Sequence, residues 1–422
     1  MLSRKIINWL NTVKKKHELN VRVINLDKLK KWKISKEEIY HESKNFFKIV
    51  GIKVESNFYK KNWYQPIIVQ NEVGILGIIK NKKTKKYLLQ AKVEPGNINK
   101  LQLAPTVQAT KSNYSRVHGG KKVAHVNYFL KIKKIENYNQ SEQGFRYLNK
   151  FNSNILINVS KKINHDKNFY WFSKNEIKIL ISTKKNIVNM DTISIFSSFI
   201  KTIKSNQNIN TDVKIRKFIK RLDKKFYIKI KFVYLKKIVD WSVNKEKIVN
   251  KSKKFFSVIG IDVKANKREI NNWSQPIIKG KRMAFAGFLK AKFNNTNHYL
   301  CRYVLKPGLK NSIIGCTINT SDIDNYKKNL NKINQNFIEN FFFSKKLNKN
   351  VVFDNVLSDE GGRFFNCQIR YMVMLIDNPK SLKIPSNFLW ISHNQIVKMI
   401  KNKKLDIESR LLFACDNIDK IK

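Results

Sequence analysis

The chain has 422 residues, enough for two or three domains with a sizeable core. Its 85 lysines and arginines against 30 aspartates and glutamates give a formal net charge of +55, a balance that suggests a nucleic acid or a membrane as partner. The lysines are nevertheless dispersed along nearly the whole chain in short runs such as 14–16 and 403–404. We therefore interpret the charge as solvated surface, and we expect no nucleic-acid partner and no membrane partner.

The cysteines and the apolar runs bear on location. Cysteines occupy positions 301, 316, 367 and 415, with no CxxC motif and no zinc-ligand spacing, which favours a reduced compartment. No apolar run approaches the ~20 residues of a membrane span, and the N-terminal segment lacks the apolar core of a signal peptide. We expect a soluble, cytoplasmic protein.

Taken in order, the chain predicts strands first and helices later. The residues before Leu19 predict a short basic helix or arm, and an amphipathic helical segment is expected from Leu26 to Gly51. Short apolar runs between Gly-, Pro- and Lys-rich turns predict strands at 74–80, 87–94 and 123–131. Helices are predicted at 174–181 and 190–203, followed by a charged, Asn-rich connector at 204–227. This order indicates an α+β fold.

The stretch 88–120 carries the most distinctive chemistry. Alternation within its first part predicts a strand with Gln90, Lys92 and Glu94 on one face, ended by Pro95-Gly96. Residues 101–110 contain no charge in a chain otherwise rich in it. Neutral polar groups and a few charges beside a turn suit a sugar and a phosphate. The alternative is an amphipathic edge strand facing solvent, followed by a polar loop. The further polar side chains of the stretch are Gln102, Thr106, Gln108, Asn113, Tyr114, Ser115, Arg116 and His118.

The sequence contains a tandem duplication. Leu26 and Gly51 recur as Leu235 and Gly260, both 209 positions later. The segment 63–68 (WYQPII) returns at 273–278 (WSQPII), and 141–144 (SEQG) is answered by 358–361 (SDEG). The closing helices are also repeated, at 394–401 and 407–415. We therefore divide the chain into a first repeat, 1–205, and a second repeat with its linker, 206–422.

The two copies differ in the polar stretch. Gln90, Lys92 and Glu94 correspond to Arg302, Val304 and Lys306, and segment 104–110 shares no residue with 316–322 in this alignment, although Asn113-Tyr114 survives as Asn325-Tyr326. Either both copies are scaffold and the differences are drift, or the first copy keeps a working pocket and the second is support or a weaker site. We favour the second interpretation.

With these motifs, together with LLQAKVEPGN (88–97) and LAPTVQATKSNYSRVHGG (103–120), the chain resembles the NDP-hexose 2,3-dehydratases of deoxysugar biosynthesis from about Leu26 to Cys415. The resemblance implies two Nudix-like α+β halves and a homodimer. It also implies removal of water across C-2 and C-3 of a dTDP-4-keto-6-deoxyhexose without a redox cofactor. The chain departs from the family at 150–154 (KFNSN), which lacks the usual arginines, and it has no Nudix box.

The resemblance and the residue chemistry together give a set of candidate site residues. Trp63 is either a stacking partner for the nucleobase or a core residue, since Trp273 repeats it. No metal and no cofactor are expected, and a non-catalytic protein that binds nucleotide sugars is the alternative to a lyase. The candidate acids and bases are Glu94, Tyr114, Glu142 and His118, and the candidate substrate-binding residues are Trp63, Gln65, Gln90, Lys92, Gln108, Asn113 and Arg116.

Overall fold

A computed structural model describes residues 2–59, 62–117, 119–131, 136–204, 207–320, 341–342 and 350–422. His118 and the pair Asn325-Tyr326 lie outside these residues, so the expectations for them stay predictions. Within the described residues, no helix is both long and apolar enough to cross a membrane.

The first repeat is rich in strands and has most of its helices at its two ends. Its elements, in chain order, are α1 (Arg4–Lys16), β1 (Leu19–Ile24), β2 (Trp32–Ile34), β3 (Glu38–His41), β4 (Lys48–Ser56), β5 (Trp63–Val69), β6 (Gly74–Asn81), β7 (Tyr87–Val93), β8 (Leu101–Ala104), β9 (Val107–Ala109), α2 (Lys111–Tyr114), α3 (Asn127–Leu130), β10 (Asn137–Ser141), β11 (Tyr147–Leu148), β12 (Phe151–Val159), β13 (Phe169–Phe172), α4 (Lys174–Ser182) and α5 (Met190–Ser198).

The second repeat follows the same order. Its described elements are α6 (Asp212–Lys225), β14 (Ile228–Val233), β15 (Trp241–Val243), β16 (Lys247–Asn250), β17 (Ser257–Ala265), β18 (Asn272–Lys279), β19 (Ala284–Phe293), β20 (Thr296–Val304), β21 (Ile313–Gly315), β22 (Ile318–Thr320), β23 (Val351–Ser358), β24 (Phe364–Phe365), β25 (Gln368–Ile376), β26 (Phe388–Ser392), α7 (His393–Lys401) and α8 (Ile407–Asp416).

The described strands form two matching pairs of sheets. The larger sheet of the first repeat has the order β10-β12-β6-β7-β13, with β8 on β7 and β9 on β6; its counterpart runs β23-β25-β19-β20, with β21 and β26 on β20 and β22 on β19. The smaller sheets are β11-β5-β4-β3-β2 and β24-β18-β17-β16-β15. This mixed α+β architecture confirms the predicted fold class at that level.

The two repeats exchange their first strands. β1 pairs with β17 of the second repeat, starting at Leu19 opposite Ala265, and β14 pairs with β4 of the first repeat, starting at Ile228 opposite Ser56. All four positions obey the 209-residue offset of the duplication, so the two pairings have the same register. Each smaller sheet is thereby completed by the other repeat.

The smaller sheet of each repeat also packs on the larger sheet of the other. Val93, at the end of β7, shares an apolar cluster with Ile261 and Ile277 of the second repeat. On the opposite side, the Tyr59 hydroxyl donates to the Leu305 carbonyl at 2.6 Å. The second repeat therefore packs against the end of β7, and the first repeat contacts the end of β20.

Several expectations about elements were wrong. The segment 26–51 is a short 3₁₀ turn followed by β2, β3 and the start of β4, because its apolar residues fill a sheet–sheet interface rather than one helix face. Segment 123–131 contains the short helix α3 instead of a strand, and the supposed connector contains α6, which is the repeat of α1. The helix predicted at 190–203 ends at Ser198.

The strand registers also correct the alignment of the polar stretch. Val107 pairs with Gly77 and Ile318 with Gly287, which makes Thr106 the counterpart of Thr317. Both hydroxyls accept a backbone N–H, from Ile79 at 3.0 Å and from Leu289 at 2.9 Å. The segment therefore does keep one shared residue, which supports the frame of the sheet.

Candidate functional site

The candidate site forms where β7 ends. β7 pairs with β6, β8 and β13, so it is an inner strand, and the solvent-facing alternative is wrong. Lys92 and Glu94 are both buried, and Lys92 Nζ lies 3.7 Å from Glu94 Oε1. Gln90 turns away and donates to the Pro105 carbonyl at 2.8 Å. Two of the three predicted polar side chains thus converge.

Glu94 is held from both repeats. Gln108 Nε2 donates to Glu94 Oε1 at 3.0 Å, and the backbone N–H of Gly361 donates to Oε2 at 3.1 Å. A Cβ at Gly361 would stand 2.8 Å from the Glu94 Cβ and 2.5 Å from Asn97 Oδ1. Only glycine allows this approach, so the second repeat fixes the orientation of the first-repeat carboxylate.

Gln108 connects Glu94 to helix α5. Its carbonyl accepts from Lys92 Nζ at 3.3 Å, and its side-chain oxygen accepts from Asn189 Nδ2 at 3.3 Å. Asn189 caps α5, since its own side chain accepts the Thr192 N–H at 3.0 Å. The cap places Asp191 in the first turn of α5. The predicted residue Gln108 therefore contacts both Lys92 and Glu94. Asn189 was missed in the sequence analysis.

Glu142 supplies a second buried carboxyl group. Asn152 Nδ2 donates to its Oε1 at 2.7 Å. Burial, and then the negative charge of Glu360, raise the pKa of Glu142 to about 7. Burial raises the pKa of Asp191 well above its ordinary value, and Glu360, Glu142 and Glu94 add to that shift. Asp191 is therefore within electrostatic range of both Glu94 and Glu142.

Glu360 is the second-repeat member of this cluster. Its Oε2 accepts from the Tyr147 hydroxyl at 2.8 Å. The equivalents of Glu360 and Tyr147 are Gln143 and Phe364, so this hydrogen bond has no copy on the other side. The return of SEQG as SDEG could have identified Glu360 from the sequence. The start of the helix predicted at 190–203 could have identified Asp191.

The remaining first-repeat candidates make local contacts. Thr110 Oγ1 donates to Asn113 Oδ1 at 2.9 Å, Tyr114 packs half-buried against an apolar cluster, and the exposed Arg116 donates to the Gly120 carbonyl at 2.9 Å. Ser112 of the same turn donates to Glu72, which also receives Lys150 at its carbonyl. Their assignment as site residues stays a prediction.

Trp63 and Gln65 lie on the other side of the molecule. Trp63 Nε1 donates to Gln65 Oε1 at 2.8 Å, and the Gln65 amide donates to the Phe145 carbonyl at 2.8 Å. The Trp63 ring stacks edge-on with Tyr59, 5.2 Å between centroids, next to the end of β20. Because the smaller sheet of each repeat packs on the larger sheet of the other, the tryptophan next to β7 is Trp273.

The corresponding end of β20 is closed by ion pairs. Lys306, the counterpart of Glu94, lies 2.8 Å from Glu408 Oε2 and 3.0 Å from Asp406 Oδ2, and only 2 % of its side chain is exposed. Burial lowers the pKa of Lys306, but Asp406 and Glu408 outweigh it and raise the pKa above its ordinary value. The ammonium group of Lys306 therefore neutralises both acids, and the base proposed at Glu94 has no carboxylate at the matching position.

Two surface clefts flank the β7 side. One, of about 400 Å³, lies between β1 and the turn at 95–100. The other, of about 510 Å³, is lined by His17, Lys100 and Asn266, among others. Both adjoin the turn that carries Glu94, and neither is lined by the carboxylates themselves.

The profile of the NDP-hexose 2,3-dehydratase family matches residues 3–199 and 212–415 of this chain. A protein of Saccharopolyspora spinosa named dTDP-4-dehydro-6-deoxy-alpha-D-glucopyranose 2,3-dehydratase is 29% identical over 438 residues, with 96% of this chain and 89% of the relative covered. Two relatives with the same name come from Amycolatopsis orientalis, 27% identical over 90% of this chain and 82% of its own, and Streptomyces violaceoruber, 28% identical over 90% and 88%.

Proposed function

The chain belongs to the NDP-hexose 2,3-dehydratase family, and we propose that it removes water across C-2 and C-3 of a dTDP-4-keto-6-deoxyhexose. The product is a 3,4-diketo-2,6-dideoxy sugar nucleotide for deoxysugar biosynthesis. The observation that carries the proposal is the buried Lys92–Glu94 pair, with Glu94 and the buried Glu142 both acting on Asp191, in a chain matched by this family in both repeats. The names of the three relatives support the substrate class.

The reaction needs a base, an acid and a stabilised anion. The C-3 proton is acidic because it lies next to the C-4 ketone, and its removal leaves an enolate. The C-2 hydroxyl then departs as water after taking a proton, and a C-2/C-3 enol remains. Protonation at C-2 converts that enol into the 3,4-diketo sugar, so one water molecule is lost and no electrons are transferred.

Glu94 and Glu142 suit the two proton-transfer roles. Glu94 accepts two hydrogen bonds that orient its carboxylate, and the adjacent Lys92 ammonium favours the ionised form that a general base needs. Glu142, with a pKa of about 7 caused first by burial, is available in its protonated form as the acid for the leaving hydroxyl. Lys92 is the cation nearest to Glu94 and stabilises the enolate.

The rest of the assignment is also a proposal. The repeats 1–205 and 206–422 are Nudix-like halves, the protein acts as a cytoplasmic homodimer, and the reaction requires neither a metal nor a redox cofactor. Gln108 holds the base, as its contact with Glu94 supports. Tyr114, His118, Asn113, Arg116 and Gln90 are further candidate contacts to the sugar or its diphosphate.

One experiment separates a lyase from a protein that only binds nucleotide sugars. The purified protein is incubated with dTDP-4-keto-6-deoxyglucose, and the sugar is followed by NMR in deuterated and normal water. A lyase consumes the C-2 hydroxyl and incorporates solvent hydrogen at C-2. An unchanged sugar, with binding demonstrated by calorimetry, would favour the non-catalytic alternative. Turnover that is abolished by EDTA and restored by magnesium would contradict the metal-free mechanism.

A further inference from the structure

A loop of the second repeat reaches the β7 side of the molecule. It lies between β17 and β18, and the Glu269 carbonyl accepts the Lys121 N–H at 2.9 Å. Arg268 in this loop donates from Nη1 to the Val93 carbonyl at 2.9 Å. Its guanidinium lies 5.8 Å from the centre of the Trp273 ring. The second repeat therefore brings a cation and an aromatic ring to the residue between Lys92 and Glu94.

Arg268 has hydrogen-bonding capacity left over. Its Nε is buried and has no hydrogen-bond partner among the described residues. The Glu269 carboxylate forms an ion pair with this guanidinium, but at 3.6 Å from Nε it is too distant for a hydrogen bond. The side chain is 15% exposed, so it borders the interior cluster and remains open to a ligand. A buried guanidinium N–H without an acceptor is costly, so an oxygen of a bound anion at Nε would be favourable.

Arg268 and Lys92 also influence each other. Burial lowers the pKa of Lys92, and the positive charge of Arg268 lowers it further. A bound anion would remove this repulsion and would interact with the guanidinium in the two-point geometry that phosphates favour.

The opposite side of the molecule provides an internal comparison. There, Tyr59 occupies the position of Arg268: its hydroxyl bonds the Leu305 carbonyl, the counterpart of Val93, and its ring packs on Trp63, the counterpart of Trp273. The backbone contact and the tryptophan contact are thus conserved between the sides, while the positive charge is not. The charge of Arg268 is therefore not needed for the fold of this corner.

Resting on the proposed function, we propose that Arg268 of the second repeat binds the diphosphate of the nucleotide sugar whose hexose lies at Lys92 and Glu94 of the first repeat. The substrate under that function carries one charged group, its diphosphate, and Arg268 is a partly exposed cation next to Lys92 and Glu94. Lys92 stays available for the enolate. The site is composite, with recognition and chemistry supplied by different repeats.

The test compares dTDP with thymidine as calorimetric probes on the full-length protein. Arg268→Gln should weaken dTDP binding about 10- to 100-fold and leave thymidine binding within about twofold, since only dTDP carries the diphosphate. Tyr59→Phe, at the matching position, and Arg216→Gln, an exposed arginine on α6, should leave both affinities unchanged. Arg216→Gln controls for the loss of one charge from a chain with a net charge of +55.

Unchanged dTDP binding in Arg268→Gln, or an equal loss for dTDP and thymidine, would overturn the inference. If that variant loses its native circular dichroism, Arg268→Lys decides, with an expected dTDP loss of a few-fold and thymidine unchanged. Where turnover is measurable, Arg268→Gln should raise KM and change kcat little. A wild-type protein that binds dTDP through Arg268 but does not dehydrate the sugar would sink the proposed function and keep this inference.

Discussion

At the residue scale, Glu94 carries the sharpest prediction. Glu94→Gln keeps the shape of the side chain and removes the base, so kcat should fall on the order of 10²–10⁴-fold with KM little changed. The measurement is steady-state turnover of the 4-keto sugar nucleotide, with dTDP affinity as the control for an intact site. A Glu94→Gln protein with wild-type kcat would place proton removal elsewhere.

Lys306, the counterpart of Glu94, should respond in the opposite way. Lys306→Gln removes the partner of Asp406 and Glu408 and leaves two buried carboxylates unpaired. The free energy of unfolding should fall by about 3–5 kcal/mol, while turnover per folded molecule stays within a few-fold. Denaturant unfolding and kcat are measured on the same sample. A stable Lys306→Gln protein with no activity would contradict the assignment of the chemistry to the β7 side.

The pKa of Glu142 determines the expected pH dependence of the activity. Its pKa of about 7, raised by burial and then by Glu360, makes the protonated acid available below that value. Activity should therefore decline as pH rises through about 7. Glu360→Gln removes the neighbouring charge and lowers the pKa of Glu142, so the decline should begin at a lower pH. Lys150 and Arg410 act on Glu142 in the opposite direction, and neither changes in this variant.

The same shift has a sign for stability. Because the folded-state pKa of Glu142 lies above its ordinary value of 4.5, the folded protein binds more protons than the unfolded chain between about pH 4.5 and 7. The contribution of Glu142 to stability therefore falls as pH rises through that window. Glu142→Gln should flatten this part of the stability profile. A pH–rate profile unaltered by Glu360→Gln would contradict the coupling between the two carboxyl groups.

At the element scale, the turn at 360–362 makes the contact between the second repeat and Glu94. Gly361→Ala places a methyl group against the Glu94 Cβ, so we expect a loss of about 1–3 kcal/mol in stability together with a lower kcat. Gly144→Ala, at the matching position on the other side, is the control, since its Cβ would meet the Lys306 Cβ at 2.8 Å instead of Glu94. Equal losses of kcat in both variants would show that the Gly361 approach does not orient Glu94.

Sequence patterns predicted some elements well and misjudged others for identifiable reasons. The strands at 74–80 and 87–94 and the helices at 174–181 and 407–415 follow clear local periodicities. Segment 26–51 was mistaken for a helix because Leu26, Leu29 and Trp32 recur every three residues. These side chains instead pack between the two smaller sheets. The structure places Trp63 next to the end of β20, and its stacking on the nucleobase stays a prediction.

At the scale of the whole molecule, the duplication is visible in the sequence and the exchange is not. Each repeat carries a complete set of strands, so nothing local reveals that β1 and β14 complete the sheets of the other half. The pairing partners are separated by more than 170 residues along the chain. The sequence alone therefore does not place Arg268, Glu360 and Gly361 near Lys92 and Glu94. Only the structure shows that they are neighbours.

The exchange predicts how the protein behaves when it is divided. Fragments 1–205 and 206–422 should each lack activity, because the first holds Glu94 without Arg268 and Gly361, and the second lacks Glu94. Neither fragment can complete its smaller sheet alone, since β17 needs β1 and β4 needs β14.

When the fragments are co-expressed, they should associate and recover dehydratase activity, measured as sugar turnover by the co-purified pair. Glu94→Gln in the first fragment should abolish the recovered activity, and Lys306→Gln in the second should only weaken association. A first fragment that is fully active by itself would mean that the second repeat contributes nothing to the site. In that case the contact of Gly361 with Glu94 would be packing alone.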